Sequence, residues 1–260
     1  MRAMASAIDH IVIAVKDPDA AAAELTETVG VAFTGGGRHT GLGTFNRIAF
    51  LGDAYLELLG VEDAALAANW AVGAAAVSAL ARGGGFATYA LVDDAIRSSV
   101  ARLQANGSRI GPVLQGSRER PDGERVEWWS ATTPQLGPDQ PPFLIKHLYA
   151  GAEWGADALA ARRAFPHPIG SPAVLLGLDL AISDPIALAA ACAIDVGMEF
   201  QSLGSMAFAT VGRHVIRLTV AEPATPAAAT ATIRLAIGAE LPRSLAVLGI
   251  GFELAAIAVV

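Results

Sequence analysis

Apolar positions along the chain come in a repeating order. A short run rich in Ile, Val and Leu meets an acidic turn, then a stretch of helical period closed by glycine, then further apolar strands. "IDHIVIAVKDPDAAAAELTETVG" is followed by "NRIAFLG" and "AYLELLGV". "GFATYALVDDAIRSSVARLQANG" is followed by "RVEWWSA" and "PFLIKHLY". "LLGLDLAISDPIALAAACAIDVG" is followed by "SMAFATVG" and "HVIRLTVAE", and "ATIRLAIGAELPRSLAVLGIGFELAAIAVV" is a shortened copy. The β-rich runs predict strands. Asp17, Asp94 and Asp184 are placed to cap the following helices, because a short side-chain oxygen accepts from a free N–H of the first turn. Pro18 and Pro185 suit the first helical position, where no donor is needed. Gly30, Gly107 and Gly197 close the helices, since glycine tolerates the left-handed conformation.

The unit is therefore βαβββ. One such unit cannot cover both faces of its own sheet, so pairs of units are expected to share a curved sheet. The predicted fold class is α+β: repeated βαβββ units pairing into cup-shaped mixed sheets, the second pair degenerate. Residues 1–149 form the first pair, 150–172, with three prolines, read as a linker, and 173–260 form the degenerate pair. Within the first pair, 62–84 is alanine-rich and reads as helix, and 112–124 reads as a polar, turn-rich excursion.

Composition narrows the function. The net charge is −7, with two lysines (Lys16 and Lys146) and scattered arginines, a poor match to duplex nucleic acid. No run reaches the roughly 18–20 apolar residues of a membrane helix, and the first residues lack the apolar core of a secretory signal. A cytoplasmic protein without a membrane partner is expected. The single cysteine, Cys192, allows no internal disulfide and reads as a small core residue.

Chemistry-bearing residues stand out against the strands. On the first strand Ile11, Ile13 and Val15 share one parity and His10, Val12 and Ala14 the other. The bulkier set should meet the helices, leaving His10 in the hollow of the sheet. Glu57 interrupts an apolar strand and needs a cation, a metal or donors beside it, because burying an unpaired carboxylate costs several kcal/mol. In "PPFLIKH" either Lys146 or His147 faces the hollow, and the apolar pattern favours His147. "GGRHTGLGTFN" reads either as a glycine-rich connection or as a site loop with His39, Thr44 and Asn46 contacting substrate at the rim. Arg118 or Arg120 is suited to clamp a carboxylate, or to form surface ion pairs. Of the adjacent Trp128 and Trp129 one faces inward, to wall a substrate or fill core.

"DHIVIAVKD", "GGRHTGLGTFNRIAFLGDAYLELLG", "GSRERPDGERVEWW" and "PPFLIKH" resemble the glyoxalase-like branch of the vicinal oxygen chelate superfamily, the glyoxalase, bleomycin-resistance and dioxygenase group. The resemblance covers residues 7–148 well and 173–260 only as the degenerate repeat. It implies a cup holding a divalent metal (Zn, Mn or Fe) with His10, Glu57 and His147 as ligands. It also implies a small oxygen-bearing substrate and lyase or isomerase chemistry in preference to ring-cleaving oxygenation, with Glu57 as base. If Lys146 points inward instead, the cup holds no metal, and the alternative is a metal-free protein that binds or sequesters a small molecule. The third unit has Gly177 where the first has His10, and Arg217 near the place of Glu57. The second pair is expected to be scaffold, and the whole a monomer or homodimer.

Overall fold

The computed structural model describes residues 5–169, 173–221, 230–237 and 242–256. Residues 1–4, residues 170–172 of the segment read as a linker, and 222–229, 238–241 and 257–260 around and within the final repeat lie outside the described residues. The first unit is β1 (Ala7–Ala14), α1 (Pro18–Thr28), β2 (Gly35–His39), β3 (Thr44–Leu51) and β4 (Ala54–Val61). Two helices follow, α2 (Ala64–Ala67) and α3 (Ala71–Ala81), where the alanine-rich stretch predicted helix. The second unit is β5 (Gly85–Val92), α4 (Ile96–Ala105), β6 (Leu114–Glu119), β7 (Arg125–Ala131) and β8 (Phe143–His147). Together their strands close a barrel in the order β1-β4-β3-β2-β6-β7-β8-β5.

Local sequence explains most of these elements. Asp17 accepts from the Asp19 and Ala20 amides, and α1 then buries Pro18, Ala21, Ala22 and Leu25 against the sheet. Burying a leucine side chain contributes about 1.5–3 kcal/mol. Asp184 caps α7 (Pro185–Asp195) in the same way, through Ala187 N–H. Asp94 does not cap α4: a turn intervenes, the cap position falls on Ala95 without a side-chain bond, and Asp93 accepts from Ala95 N–H at 2.8 Å.

Two stretches read as connections are strands. The triple glycine lies in β2, where it is needed: a Cβ on Gly37 would sit 2.1 Å from the Glu119 carbonyl oxygen, and one on Gly36 2.3 Å from that of Asn46. The polar "LQGSRE" forms β6, paired along its length with β7 and sharing a ladder with β2 only at the Arg38–Glu119 pair. This weak seam closes the barrel.

The segment read as a linker folds back on the barrel. It carries α5 (Gly151–Trp154) and α6 (Ala156–Arg163), and Glu153, Trp154 and Arg162 are buried. Beyond it, β9 (Val174–Ile182), α7, β10 (Gln201–Leu203), β11 (Met206–Val211) and β12 (His214–Val220) repeat the unit, and β13 (Thr230–Ile237), β14 (Arg243–Val247) and β15 (Ile250–Ala256) add three strands. They form a seven-stranded sheet, β10-β11-β12-β9-β13-β15-β14. Its inner apolar residues, among them Leu178, Leu180 and Ile233, share one core with Ile8, Ile11 and Ile13 on the outside of the barrel. In register, Asp179 opposite Arg217 takes the place that Val12 opposite Glu57 holds in the barrel. A side chain at Gly177 would strike the Val215 carbonyl and the Arg234 guanidinium, so an imidazole like that of His10 has no room there.

Candidate functional site

The barrel interior holds a cavity of about 320 Å³ lined by His10, His39, Asn46, Tyr55, Glu57, Arg118, Trp128 and His147 among others. Side-chain alternation delivers most of them. On β1, His10, Val12 and Ala14 face in while Ile11 and Ile13 join the outer core. On β4, Tyr55 and Glu57 face in and Leu56 and Leu58 face out. On β8, Phe143, Ile145 and His147 line the cavity, whereas Lys146 reaches outward and its Nζ donates to the Asp94 carbonyl at 2.7 Å.

On β1 alternation fails at one place, and the failure builds the site. Across β1 and β5, Ile8 opposes Leu91 and His10 opposes Ala90, so Asp9 is an extra residue without a partner. This β-bulge turns Asp9 and His10 to the same side. Asp9 Oδ1 lies 2.6 Å from His10 Nδ1 and 3.1 Å from His147 Nε2. Asp9 is 2% exposed. Burial alone would raise its pKa. The His147 and His10 charges and hydrogen bonds outweigh that and hold Asp9 well below the ordinary carboxylate range. Asp9 was not among the residues singled out from sequence. Its only signal is its position beside His10, and strict alternation would put it on the opposite face from that ring.

With Asp9 on Nδ1, the ring atom that His10 presents to Glu57 is Nε2, 3.5 Å from Glu57 Oε2. Tyr55 stacks on the other ring face, with centroids 4.5 Å apart, and burial first, then Asp9 and Glu57, raises the phenol's pKa and keeps it protonated. Glu57 Oε1 accepts from Asn46 Nδ2 at 2.5 Å, and Asn46 Oδ1 accepts from Gly37 N–H at 2.9 Å, which fixes the amide. His39 Nδ1 is bonded to Thr44 Oγ1 at 2.8 Å, and His39 Nε2 lies 3.9 Å from Glu57 Oε1. Burial pushes the His39 pKa down to about 4, with Glu57 opposing and Arg118 and His10 adding to the drop. His39, Thr44 and Asn46 are thus inside the cup, all buried, and not at its rim.

Arg118 is also deep, at 3% exposure. Its guanidinium donates to the Gly36 carbonyl at 2.9 Å and pairs with Glu153 of α5, which also takes Arg120. The arginine expected to clamp a substrate carboxylate is occupied by a carboxylate of its own chain. The next residue, Trp154, stacks on His147 with centroids 3.6 Å apart, and Arg162 covers its other side at 4.1 Å. Of the paired tryptophans, Trp128 lines the cavity and Trp129 packs outside under Arg97.

A barrel of two βαβββ units with a polar cluster in its hollow defines the vicinal oxygen chelate class of protein. The family model described as "Glyoxalase-like domain" matches residues 8–193, and the chain belongs to that family. A hypothetical protein from Staphylococcus aureus is similar over 96% of this chain and 99% of that one, with a TM-score of 0.78 at 16% identity. A mutant of 4-hydroxymandelate synthase from Streptomyces coelicolor is similar over 90% of this chain and 71% of that one, with a TM-score of 0.53 at 13% identity. Methylmalonyl-CoA epimerase from Mycobacterium tuberculosis is similar over 56% of this chain and 90% of that one, with a TM-score of 0.41 at 18% identity. At these identities the first two likenesses are of fold alone. No curated protein matches the chain. Among the described residues no helix is long and apolar enough to cross a membrane.

Divalent metals are typical of the superfamily, and His10, Glu57 and His147 are the residues the resemblance assigns to one. His10 Nε2 and Glu57 Oε2 do face each other, but His147 Nε2 is directed to Asp9. Among the described residues no group of three His, Cys, Asp or Glu side chains is placed to hold a metal ion. The donor set does not fit a three-ligand centre. The chemistry these side chains support by themselves is proton transfer.

Proposed function

We propose that the chain is a glyoxalase-like enzyme of isomerase or lyase type that moves a proton next to the carbonyl of a small oxygen-bearing organic molecule. The observation that carries this reading is the 3.5 Å approach of His10 Nε2 to Glu57 Oε2 inside a mostly apolar cup. Glu57 is the base. Its carboxylate takes a proton from the carbon beside the carbonyl, the C–H electron pair forms the new C=C bond, and the C=O π pair moves to the oxygen to give an enolate. Glu57, now protonated, returns the proton to carbon. His10, oriented by Asp9, exchanges a proton through Nε2 with Glu57 or with the substrate oxygen. Asn46 holds Glu57 in place. Exclusion of water strengthens each of these interactions.

All of these groups come from one chain, so a monomer suffices. We assign residues 1–149 as the catalytic unit and 173–260 as scaffold, with α5 completing the cup. Among the described residues a divalent metal, whether Zn, Mn or Fe, finds no third protein ligand in this arrangement, and Glu57 and His10 carry the reading without it.

The test is exchange of carbon-bound protons with D₂O, followed by NMR on hydroxyacetone, 2-hydroxyacetophenone and phenylpyruvate. Wild-type protein should exchange at least one of them, and Glu57→Gln should slow exchange by about 10²–10⁴-fold, the usual share of a general base. Metal content is measured on the same samples. Exchange that persists in Glu57→Gln sinks the assignment. The second reading, a protein that sequesters an apolar ligand, is favoured by the tryptophans of the cup. Tight binding without exchange in any sample supports it.

A further inference from the structure

We infer that the cup selects neutral aryl carbonyl compounds: a planar aromatic ring held between Trp70 and Trp128, with an uncharged oxygen-bearing head beside Glu57. This rests on the proton-transfer reading above and narrows its substrate.

The two indoles come from unrelated parts of the chain and flank the same group. Trp70, just before α3, and Trp128, on β7, each meet the His39 ring edge to face at 5.9 Å. Both are seated by glycines. A Cβ on Gly116, the β6 residue opposite Trp128, would lie 2.4 Å from the Trp128 indole nitrogen. A Cβ on Gly73 would lie 2.4 Å from that of Trp70. Trp70 Nε1 donates to the Leu42 carbonyl at 3.0 Å, which fixes its ring relative to the β2–β3 turn. Parallel-displaced or edge contacts with two fixed indoles favour a flat aromatic guest. At the rim Leu114 is 63% exposed and continues the apolar wall to solvent.

Volume and charge set the rest. An apolar cavity of about 150 Å³ accommodates a benzene ring, so about 320 Å³ takes one ring and a short arm. Among the described residues lining the cavity, Arg118 is the sole arginine or lysine and Glu57 the sole carboxylate. Arg118 is already neutralised by Glu153, and His39 is held through Nδ1 by Thr44 Oγ1. A carboxylate or phosphate head would meet Glu57, while Arg118 keeps Glu153 and the imidazoles of His10 and His147 share Asp9, so none of these groups is left to compensate it. A ketone or hydroxyl meets His10, Asn46 and His39 without that penalty.

Isothermal titration calorimetry at neutral pH compares 2-hydroxyacetophenone (ring, neutral head), hydroxyacetone (no ring) and phenylpyruvate (ring, carboxylate). The aryl ketone should bind at least about tenfold more tightly than either. Trp70→Leu and Trp128→Leu should each lower its preference over hydroxyacetone by about fivefold or more, at a Tm close to wild type. Should Trp128→Leu fail to fold, Gly116→Ala, which crowds the same indole, must lower that preference. Equal or tighter binding of hydroxyacetone or phenylpyruvate, or a preference untouched by the substitutions, overturns the inference. The D₂O exchange separates the two levels. Binding preference without Glu57-dependent exchange overturns the enzyme reading and leaves the ligand class standing. Exchange without aryl preference does the reverse.

Discussion

Asp9 and His10 are sequence neighbours on one strand, yet the Asp9 carboxylate lies 2.6 Å from the imidazole nitrogen of His10. The β-bulge that makes this possible also lets Asp9 reach His147. Asp9 is therefore the residue that sets which nitrogen of His10 meets Glu57. Asp9→Asn keeps the shape and can offer its amide N–H where an acceptor is required. It is expected to lower turnover by about 10²-fold, the cost of a misplaced reacting group, while Glu57-independent ligand binding persists. A D₂O exchange rate equal to wild type would show that His10 does not depend on its neighbour.

Acid should weaken the fold through its buried histidines. His214 of β12 accepts the Ile8 N–H at 2.9 Å, tying the second sheet to the start of β1. Burial, helped by Arg213 and opposed by Asp53, pushes the His214 pKa down to about 4, like that of His39. A histidine with a depressed folded value contributes stability that is complete above about pH 6.5 and is lost as pH falls through about 4. Asp9, also depressed, adds loss at still lower pH, below its ordinary value near 4. Urea titrations from pH 7 to 4 should show stability falling by a few kcal/mol. His214→Ala should lose about 1–3 kcal/mol at pH 7 by stranding the Ile8 N–H, and should flatten part of the pH dependence. A flat profile in the wild type would contradict the buried, neutral state of these rings.

Glu153 is 5% exposed and neutralises Arg118 inside the cup. Removing one member of a buried pair is costly because the other charge stays behind, typically about 3–5 kcal/mol. Glu153→Gln should destabilise by an amount in that range, and the freed Arg118 should then favour anionic ligands. Calorimetry on that variant should find phenylpyruvate binding strengthened relative to 2-hydroxyacetophenone.

Much of this architecture was legible because local chemistry and global fold agree. The caps at Asp17 and Asp184, the prolines that follow them and the glycines after α1, α4 and α7 mark the repeats. Alternation alone sends His10, Glu57 and His147 inward. The misreadings have one physical origin, pairing partners that a single strand does not announce. β6 has no apolar face because its inward side is the Arg118 ion pair, and β2 is glycine because neighbouring backbones approach too closely for a Cβ. Asp9 escapes notice because a bulge is a property of two strands. Glu153 and Trp154 were passed over because a proline-rich segment between repeats reads as a spacer, although its helix packs against the barrel.

That short helix has an evolutionary corollary. The wall behind His147 is supplied by chain that follows the repeat, so the duplicated module is not self-contained. A recombination event that moved only the two βαβββ repeats into another polypeptide would deliver an open bowl with an unneutralised arginine in it. Any transfer of this cup has to carry α5 along, because the carboxylate that neutralises Arg118 and the indole that stacks on His147 both lie there.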